Sequence, residues 1–246
     1  MLDFTFLTEP ASLSLGETNL EIMLSGWEAT VLAYVGAMSI ALALGVPIGV
    51  LRTLEGRAWI RRMTSIYVEI FRNIPMLVQL FLWFFVLPEL LPRAAGQWLK
   101  RDLPSPEFWT LAIALGVFMS ARVIELVRSG VQSLSRGQRE ACHALGLQQR
   151  NAYRLVLLPQ VIRIVFPPLT TEFANCFKAT AVGLTIGYVE LTQRAREISE
   201  ETFRTFEIFL IATAVYASSI FVITLVLHLI EHMIRIPGLG PAPTSR

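Results

Sequence analysis

Five apolar blocks, parted by polar stretches, set the pattern of this chain. A helix needs about 20 mostly apolar residues to cross a bilayer. Residues 29–51 carry no charge and read as one such helix. Gly36, Gly45 and Gly49 within it allow close approach of a neighbouring helix in lipid. The second block, 66–91, opens with Tyr67-Val68-Glu69-Ile70-Phe71-Arg72, which suits the membrane interface, and Pro75 predicts a kink or a helix start. The third, 108–121, is short and is expected to continue as helix through Arg122, Glu125 and Arg128, spaced to pair along one face. The fourth, 155–189, is too long for one simple span, and Pro159, Pro167, Pro168, Gly183 and Gly187 are expected to break it. Glu172 and Lys178 lie at membrane depth within it. The fifth, 208–227, is uncharged.

Charge gives these spans a direction. Arg52, Arg57, Arg61 and Arg62 follow the first block, and basic flanks favour the cytoplasmic side. The start carries Asp3, Glu9, Glu17 and Glu21 without Lys or Arg, so it is placed outside and lacks the basic start of a cleaved signal peptide. Residues 92–107 and the acidic run with Glu190, Glu197, Glu200, Glu201 and Glu207 become external loops, and Arg235 marks a cytoplasmic end. The expectation is an all-α integral membrane protein of about five transmembrane helices, N-terminus out and C-terminus in. Its parts are an external segment 1–25, a transmembrane domain 26–236 and a cytosolic tail 237–246. The spans fall at about 27–52, 64–91, 108–130, 155–189 (broken) and 207–231, with a polar loop at 135–154.

Composition agrees: 54% hydrophobic, 16% charged and mean hydropathy +0.55 exclude an ordinary soluble domain. A net charge of +2 implies no bulk electrostatic partner and no nucleic acid. Cys142 and Cys176 support neither a disulfide nor a metal site. His228-Leu229-Ile230-Glu231-His232 fits a metalloprotease pattern, but no Asp, Glu, His or Cys follows to supply a third zinc ligand. These residues read as a polar helix end. No Gly-x-x-x-x-Gly-Lys-Ser/Thr phosphate loop is present, so the chain is not expected to hydrolyse ATP alone, and it is read as non-catalytic with no cofactor of its own.

The loop 135–154 carries the most specific chemistry. Arg139 to Leu145 favours an amphipathic helix, Gly146 can take a positive φ and end it, and Leu147 to Leu158 can start another. On the residues alone this is either a compact knob or an ordinary connection between two spans. Glu140, Ala141, Gly146 and Leu158-Pro159 stand at the spacing of the EAA loop, with Cys142 for its second alanine and Val156 for its isoleucine. The chain thus resembles the permease subunits of ABC importers with the type I fold. The resemblance implies a coupling helix that docks on an ATPase through Gly137, Glu140, Ala141, Cys142, Ala144, Leu145, Gly146, Leu147 and Pro159.

Two further segments narrow the resemblance to the polar amino-acid branch. Tyr67-Val68-Glu69-Ile70-Phe71-Arg72-Asn73-Ile74-Pro75-Met76-Leu77-Val78-Gln79 matches that branch closely, and its interfacial reading pairs Glu69 with Arg72. Pro167-Pro168 through Glu172 to Lys178-Ala179-Thr180 matches with Thr171 for an asparagine and Ala179 for an acid or amide. Trp83, Leu87-Pro88-Glu89-Leu90-Leu91-Pro92 and Thr185-Ile186-Gly187 look most like permeases for glutamate and aspartate. The resemblance implies Lys178, Thr180 and Glu172 as substrate contacts. It also implies Glu69, Arg72, Pro75, Gln79, Arg122, Glu125 and Arg128 as structural or gating residues. Implied partners are a second permease chain, two cytosolic ATPase subunits holding ATP and Mg, a periplasmic amino-acid-binding protein and the lipid of a bacterial inner membrane. The rivals are a permease for glutamine or basic amino acids, and an ion-coupled carrier or channel. A carrier usually shows internal repeats, and none is visible.

Overall fold

The first helix, α1 (Asn19–Thr53), starts upstream of the expected span because a capping box fixes its end. Thr18 Oγ1 accepts the Glu21 N–H at 3.3 Å, and the Glu21 carboxylate accepts the Thr18 N–H at 2.7 Å. This is seen in a computed structural model that describes residues 5–9, 18–54 and 58–234. The expected tail 237–246 lies outside the described residues, and the segment 1–25 does so in part.

Small residues join α1 to α6 (Pro106–Ser133). Ala33, Ala37, Ala41, Gly45 and Gly49 recur every fourth position of α1 and are all buried. A Cβ on Gly45 would sit 2.6 Å from Val123 Cβ, and one on Gly49 would sit 2.7 Å from Val127 Cβ. Gly116 of α6 gives the same closeness in return, 2.7 Å from Ile40 Cβ. Lipid tails are as apolar as leucine, so backbone proximity rather than apolar burial holds such a pair together.

Between them run α2 (Ala58–Asn73), α3 (Met76–Phe81), a wide turn at Leu82–Val86, α4 (Leu87–Leu90) and α5 (Arg93–Gln97). The axis bends by 103° between α2 and the segment Met76–Leu90. Pro75 opens α3 and lacks the N–H that would continue α2. Gln79 Nε2 satisfies two carbonyls freed by the bend, donating to Phe71 at 2.9 Å and Ile74 at 2.7 Å.

Beyond α6 follow α7 (Arg136–Ala144), α8 (Gln149–Asn151), a wide turn at Ala152–Leu157, α9 (Leu158–Ala179), a 3-10 helix at Thr180–Ile186, α10 (Leu191–Thr202) and α11 (Thr205–Ile234). Among the described residues four segments are long and apolar enough to cross a membrane, and the bent pair adds a fifth when counted as one span. The all-α fold of about five spans is the one expected from sequence.

Two expectations need correction. The prolines do not break the fourth block: Pro159 occupies the first turn, where no helical N–H is needed, and α9 runs on through Pro167 and Pro168. The helix changes only at Thr180, and Gly187, at φ 83°, ends the 3-10 turn. The acidic run is no solvated loop but the amphipathic α10. Its Leu191, Ala195 and Ile198 pack on Ile22, Met23, Ile208 and Ala212, with its acids on the other faces. Most of α11 is left uncovered by the chain.

Candidate functional site

The loop after α6 folds as the knob that its residues suggest. α7 ends in a Schellman motif: the Leu147 N–H donates to the Cys142 carbonyl at 3.0 Å, and Gly146 takes φ 71°. Cys142 turns inward and is buried. Glu140, Ala141, Ala144, Leu145 and Gly146 are exposed, and Leu147 is half-buried. No atom lies within 4 Å of a Cβ built on Gly137 or Gly146, so this side of the knob is open. Leu145 is 78% exposed, an apolar side chain standing alone at the tip.

Behind the knob the chain is anchored. Gln138 Nε2 donates to Gln160 Oε1 at 2.9 Å, tying α7 to the first turn of α9 beside Pro159. The Tyr153 hydroxyl donates to the Thr53 carbonyl at 2.9 Å, at the end of α1. Tyr153, Leu157, Val161 and Val165 pack on Val131 and Leu134 of the α6 end. A force on the knob therefore reaches α1, α6 and α9 together.

Charged side chains link the helices one layer above. Arg52 of α1 reaches Glu125 of α6 at 2.9 Å and donates to Ser65 of α2 at 3.0 Å. Arg128 pairs with the same Glu125 one turn away. Arg122 does not join this set as expected: it crosses to Glu172 of α9 at 3.2 Å. Arg122 and Glu125 stand close enough on α6 to pair, but both carboxylate oxygens of Glu125 are held by Arg52 and Arg128, and Glu172 of α9 lies within reach of Arg122. Glu69 and Arg72 are both exposed, and among the described residues no ion pair joins them. Pro75 and Gln79 shape the bend described above.

The three expected substrate contacts are not brought together. α9 is continuous from Glu172 to Lys178, so six residues turn them to different faces. Glu172 is taken up by Arg122. Thr180 is fully buried and donates to the Phe177 carbonyl at 2.7 Å. Lys178 is exposed and makes no ion pair among the described residues. Ile164, Pro167, Pro168, Thr171 and Lys178, with half-buried Asn175, form one uncovered face of α9.

Sequence reasoning gave Arg163 no place and put Glu190 in an external loop, and the structure buries both in whole or in part. Arg163 of α9 is half-buried, and its Nε is shielded without a hydrogen-bond partner among the described residues. Glu190 is fully buried. It caps α10, accepting the N–H groups of Thr192 at 3.0 Å and Gln193 at 2.9 Å, and the Tyr216 hydroxyl at 2.7 Å. Burial pushes its carboxyl above the usual range, although these donors oppose the shift. The signal for this cap in the sequence is weak: Gln193 stands at the third helical position, but Glu is not among the usual N-cap residues Ser, Thr, Asp and Asn.

The family of binding-protein-dependent transport system inner membrane components matches residues 45–236. The glutamate/aspartate import permease protein GltJ of Escherichia coli (strain K12) is 40% identical over 216 residues, 87% of each chain. The glutamine transport system permease protein GlnP of the same strain is 28% identical, over 87% of this chain and 94% of its own. A crystal structure of an amino acid ABC transporter with histidines superposes with a TM-score of 0.74 at 29% identity, covering 87% of this chain and 94% of that one. The methionine ABC transporter MetNI, in an inward-facing conformation, shares the fold, with a TM-score of 0.75 at 17% identity and 90% of this chain covered.

Proposed function

Since the chain belongs to the binding-protein-dependent transport system inner membrane components, we propose that it passes glutamate and aspartate inward as the permease of an ABC importer. The observation that carries the substrate is Lys178, a cation without an ion pair among the described residues, on an uncovered helix face at membrane depth. A charge there costs several kcal/mol unless it is hydrated or paired. An anionic amino acid in a water-filled path satisfies it, and Thr171 and Asn175 on the same face add polar contacts. The name of the relative at 40% identity supports the same substrate class. A second permease chain facing α9 would close the path, since lipid suits neither Lys178 nor Asn175.

The ATPase belongs on the open side of α7. Glu140, Ala141, Ala144, Leu145 and Gly146 present the docking face, and Gly137 lets a partner backbone come close. ATP binding, with Mg, is supplied by that partner. Closure of the ATPase pair would carry the knob as a rigid body, and the ties to Thr53 and Gln160 would pass its movement to α1 and α9. The path would then open outward to a periplasmic binding protein, a two-state change biased at the knob. On this reading the loop 135–154 lies in the cytoplasm, the start of α1 outside and the C-terminus inside, as the basic flank of α1 supports.

The test is ATP hydrolysis by the chain in nanodiscs with its cognate ATPase, companion permease and binding protein. Hydrolysis that needs the full set and rises with glutamate or aspartate is the expected result. Stimulation by glutamine or a basic amino acid instead overturns the substrate. Failure to form a complex with any ATPase overturns the coupling assignment.

A further inference from the structure

Around α2 the side chains fall into three sectors. At about 100° per residue, Ile60, Thr64, Tyr67, Val68 and Phe71 gather on one side and are buried or half-buried. They face the bundle: Val68, Tyr67 and Phe71 pack with Ala121 and Ile124 of α6, and the Tyr67 hydroxyl donates to the Val117 carbonyl at 2.9 Å. A second sector holds Arg61, Arg62, Glu69 and Arg72, all exposed. A third holds Trp59, Met63, Ile66 and Ile70, large apolar side chains left exposed by the described residues, Trp59 being 71% exposed.

A helix with one face on protein, one polar and one apolar and uncovered has the layout of a helix lying in a membrane surface. The bend supports this orientation: α2 stands at 103° to the segment that enters the membrane after it, so it cannot run along the same line. Depth agrees as well. α2 crosses α6 where that helix changes from the apolar run 108–121 to Arg122, Glu125 and Arg128, and Ser65 meets Arg52 there. Arg61, Arg62 and Arg72 make no ion pair among the described residues, and they stand beside the apolar stripe where phosphate headgroups would be. Basic residues at that level attract anionic lipid, each by about a fivefold factor in binding.

We propose that α2 is an in-plane anchor that seats Trp59, Met63, Ile66 and Ile70 among acyl chains and binds anionic phospholipid headgroups through Arg61, Arg62 and Arg72. Because α2 is joined to α1 through Arg52 and to α6 through Tyr67, lipid bound there sets the position of the bend into α3. Naming the leaflet as cytoplasmic rests on the coupling reading of loop 135–154, whereas lipid contact can be measured without any ATPase, so the two can fail separately.

The experiment places the full chain in nanodiscs of phosphatidylcholine and phosphatidylglycerol, with one or the other brominated on its acyl chains. Trp59 emission is taken as the difference between the wild type and Trp59→Phe. Strong quenching by brominated lipid and weak quenching by aqueous acrylamide are expected. Brominated phosphatidylglycerol should quench several-fold more than brominated phosphatidylcholine at equal content. The triple change Arg61→Gln, Arg62→Gln, Arg72→Gln should abolish that preference, and the corresponding triple lysine variant should keep it. Quenching by acrylamide and not by lipid overturns the anchor, and equal quenching by the two lipids overturns the headgroup preference. Emission that becomes shielded only when an ATPase subunit is added assigns the face to a protein partner and also overturns the proposal.

Discussion

Arg122 on α6 and Glu172 on α9 meet at 3.2 Å, and this pair, rather than one along α6, is how Arg122 is held. The guanidinium also lies over the Phe118 ring, 5.2 Å from its centre. Glu172 is mostly shielded and Arg122 is partly open, so the pair is worth more than a surface pair and less than a dry one. A double-mutant cycle of Arg122→Gln and Glu172→Gln, read by thermal unfolding in detergent, is expected to give a coupling of about 1 kcal/mol. Additive effects of the two changes would show that the contact contributes nothing.

The α1–α6 contact leaves no room at Gly45. A new Cβ there meets Val123 Cβ at 2.6 Å and the Ser120 carbonyl oxygen at 3.0 Å, so one neighbour at least is backbone and cannot swing away. Gly45→Val should destabilise the chain by about 2 kcal/mol or more through overpacking. Gly36→Ala serves as the control, since its nearest atom would be Ala112 Cβ at 3.4 Å. Fluorescence-detected gel filtration after heating ranks the variants, and equal melting of Gly45→Val and Gly36→Ala contradicts the packing account.

Glu190 links stability to pH. Burial raises its pKa above the ordinary 4.5, outweighing the N–H groups of Thr192 and Gln193 and the Tyr216 hydroxyl. The folded chain therefore keeps this proton to a higher pH than the unfolded chain does. The resulting stability is full below the unfolded value and is lost as pH rises through the raised folded one. Relative to Glu190→Gln, the wild type should be at its best in acid and lose ground as pH rises above the ordinary carboxylate value of 4.5. Parallel melting curves for the two proteins across that range would refute the sign.

What the sequence made legible follows from what each signal depends on. The spans and the bend at Pro75 were readable because bilayer thickness and the missing proline N–H are local constraints. Gly146 was readable because a helix end needs a positive φ whatever surrounds it. Partner choice was not: Arg122 could have taken Glu125 or Glu172, and the contact that decides it, Arg52 of α1 on Glu125, joins residues far apart in sequence. The intact α9 was also hidden: in a bilayer the backbone has no water to turn to, so the rest of its helical hydrogen bonds hold the segment together through Pro167 and Pro168. α10 was misread because its acids outnumber its apolar residues, although Leu191, Ala195 and Ile198 hold the helical spacing that should have outweighed composition.

Gly146 should carry coupling without carrying the fold. Its surroundings are empty, so Gly146→Asp adds a charge to the docking face and pays only for a left-handed φ, about 1 kcal/mol. Gly146→Asn, which tolerates that φ better, separates the strain from the added charge. Both variants are expected to reach the membrane and melt near the wild type. Gly146→Asp should bind the cognate ATPase at least about tenfold more weakly in a pull-down titration, and Gly146→Asn should lie between. Unchanged binding and transport in Gly146→Asp would remove the knob from the coupling path.

Lys178 is the residue on which the substrate reading stands. It sits on the same helix as Glu172 but on an exposed face, and among the described residues no carboxylate pairs with it. A charge-assisted contact contributes roughly 1.5–3 kcal/mol, so its loss should weaken transport by about tenfold to a hundredfold. Lys178→Met keeps the length and apolar stem of the side chain and deletes the charge. It should lose glutamate uptake to that extent while ATPase assembly and basal ATP hydrolysis stay normal. Lys178→Arg should retain part of the uptake, because the charge remains although its shape differs. A glutamine uptake assay on the same variants supplies the decisive contrast. If Lys178 holds the side-chain carboxylate, the Met variant discriminates less between glutamate and glutamine than the wild type does. If both substrates fall equally, Lys178 serves the α-carboxylate or the path in general, and the preference for an acidic side chain has to come from elsewhere.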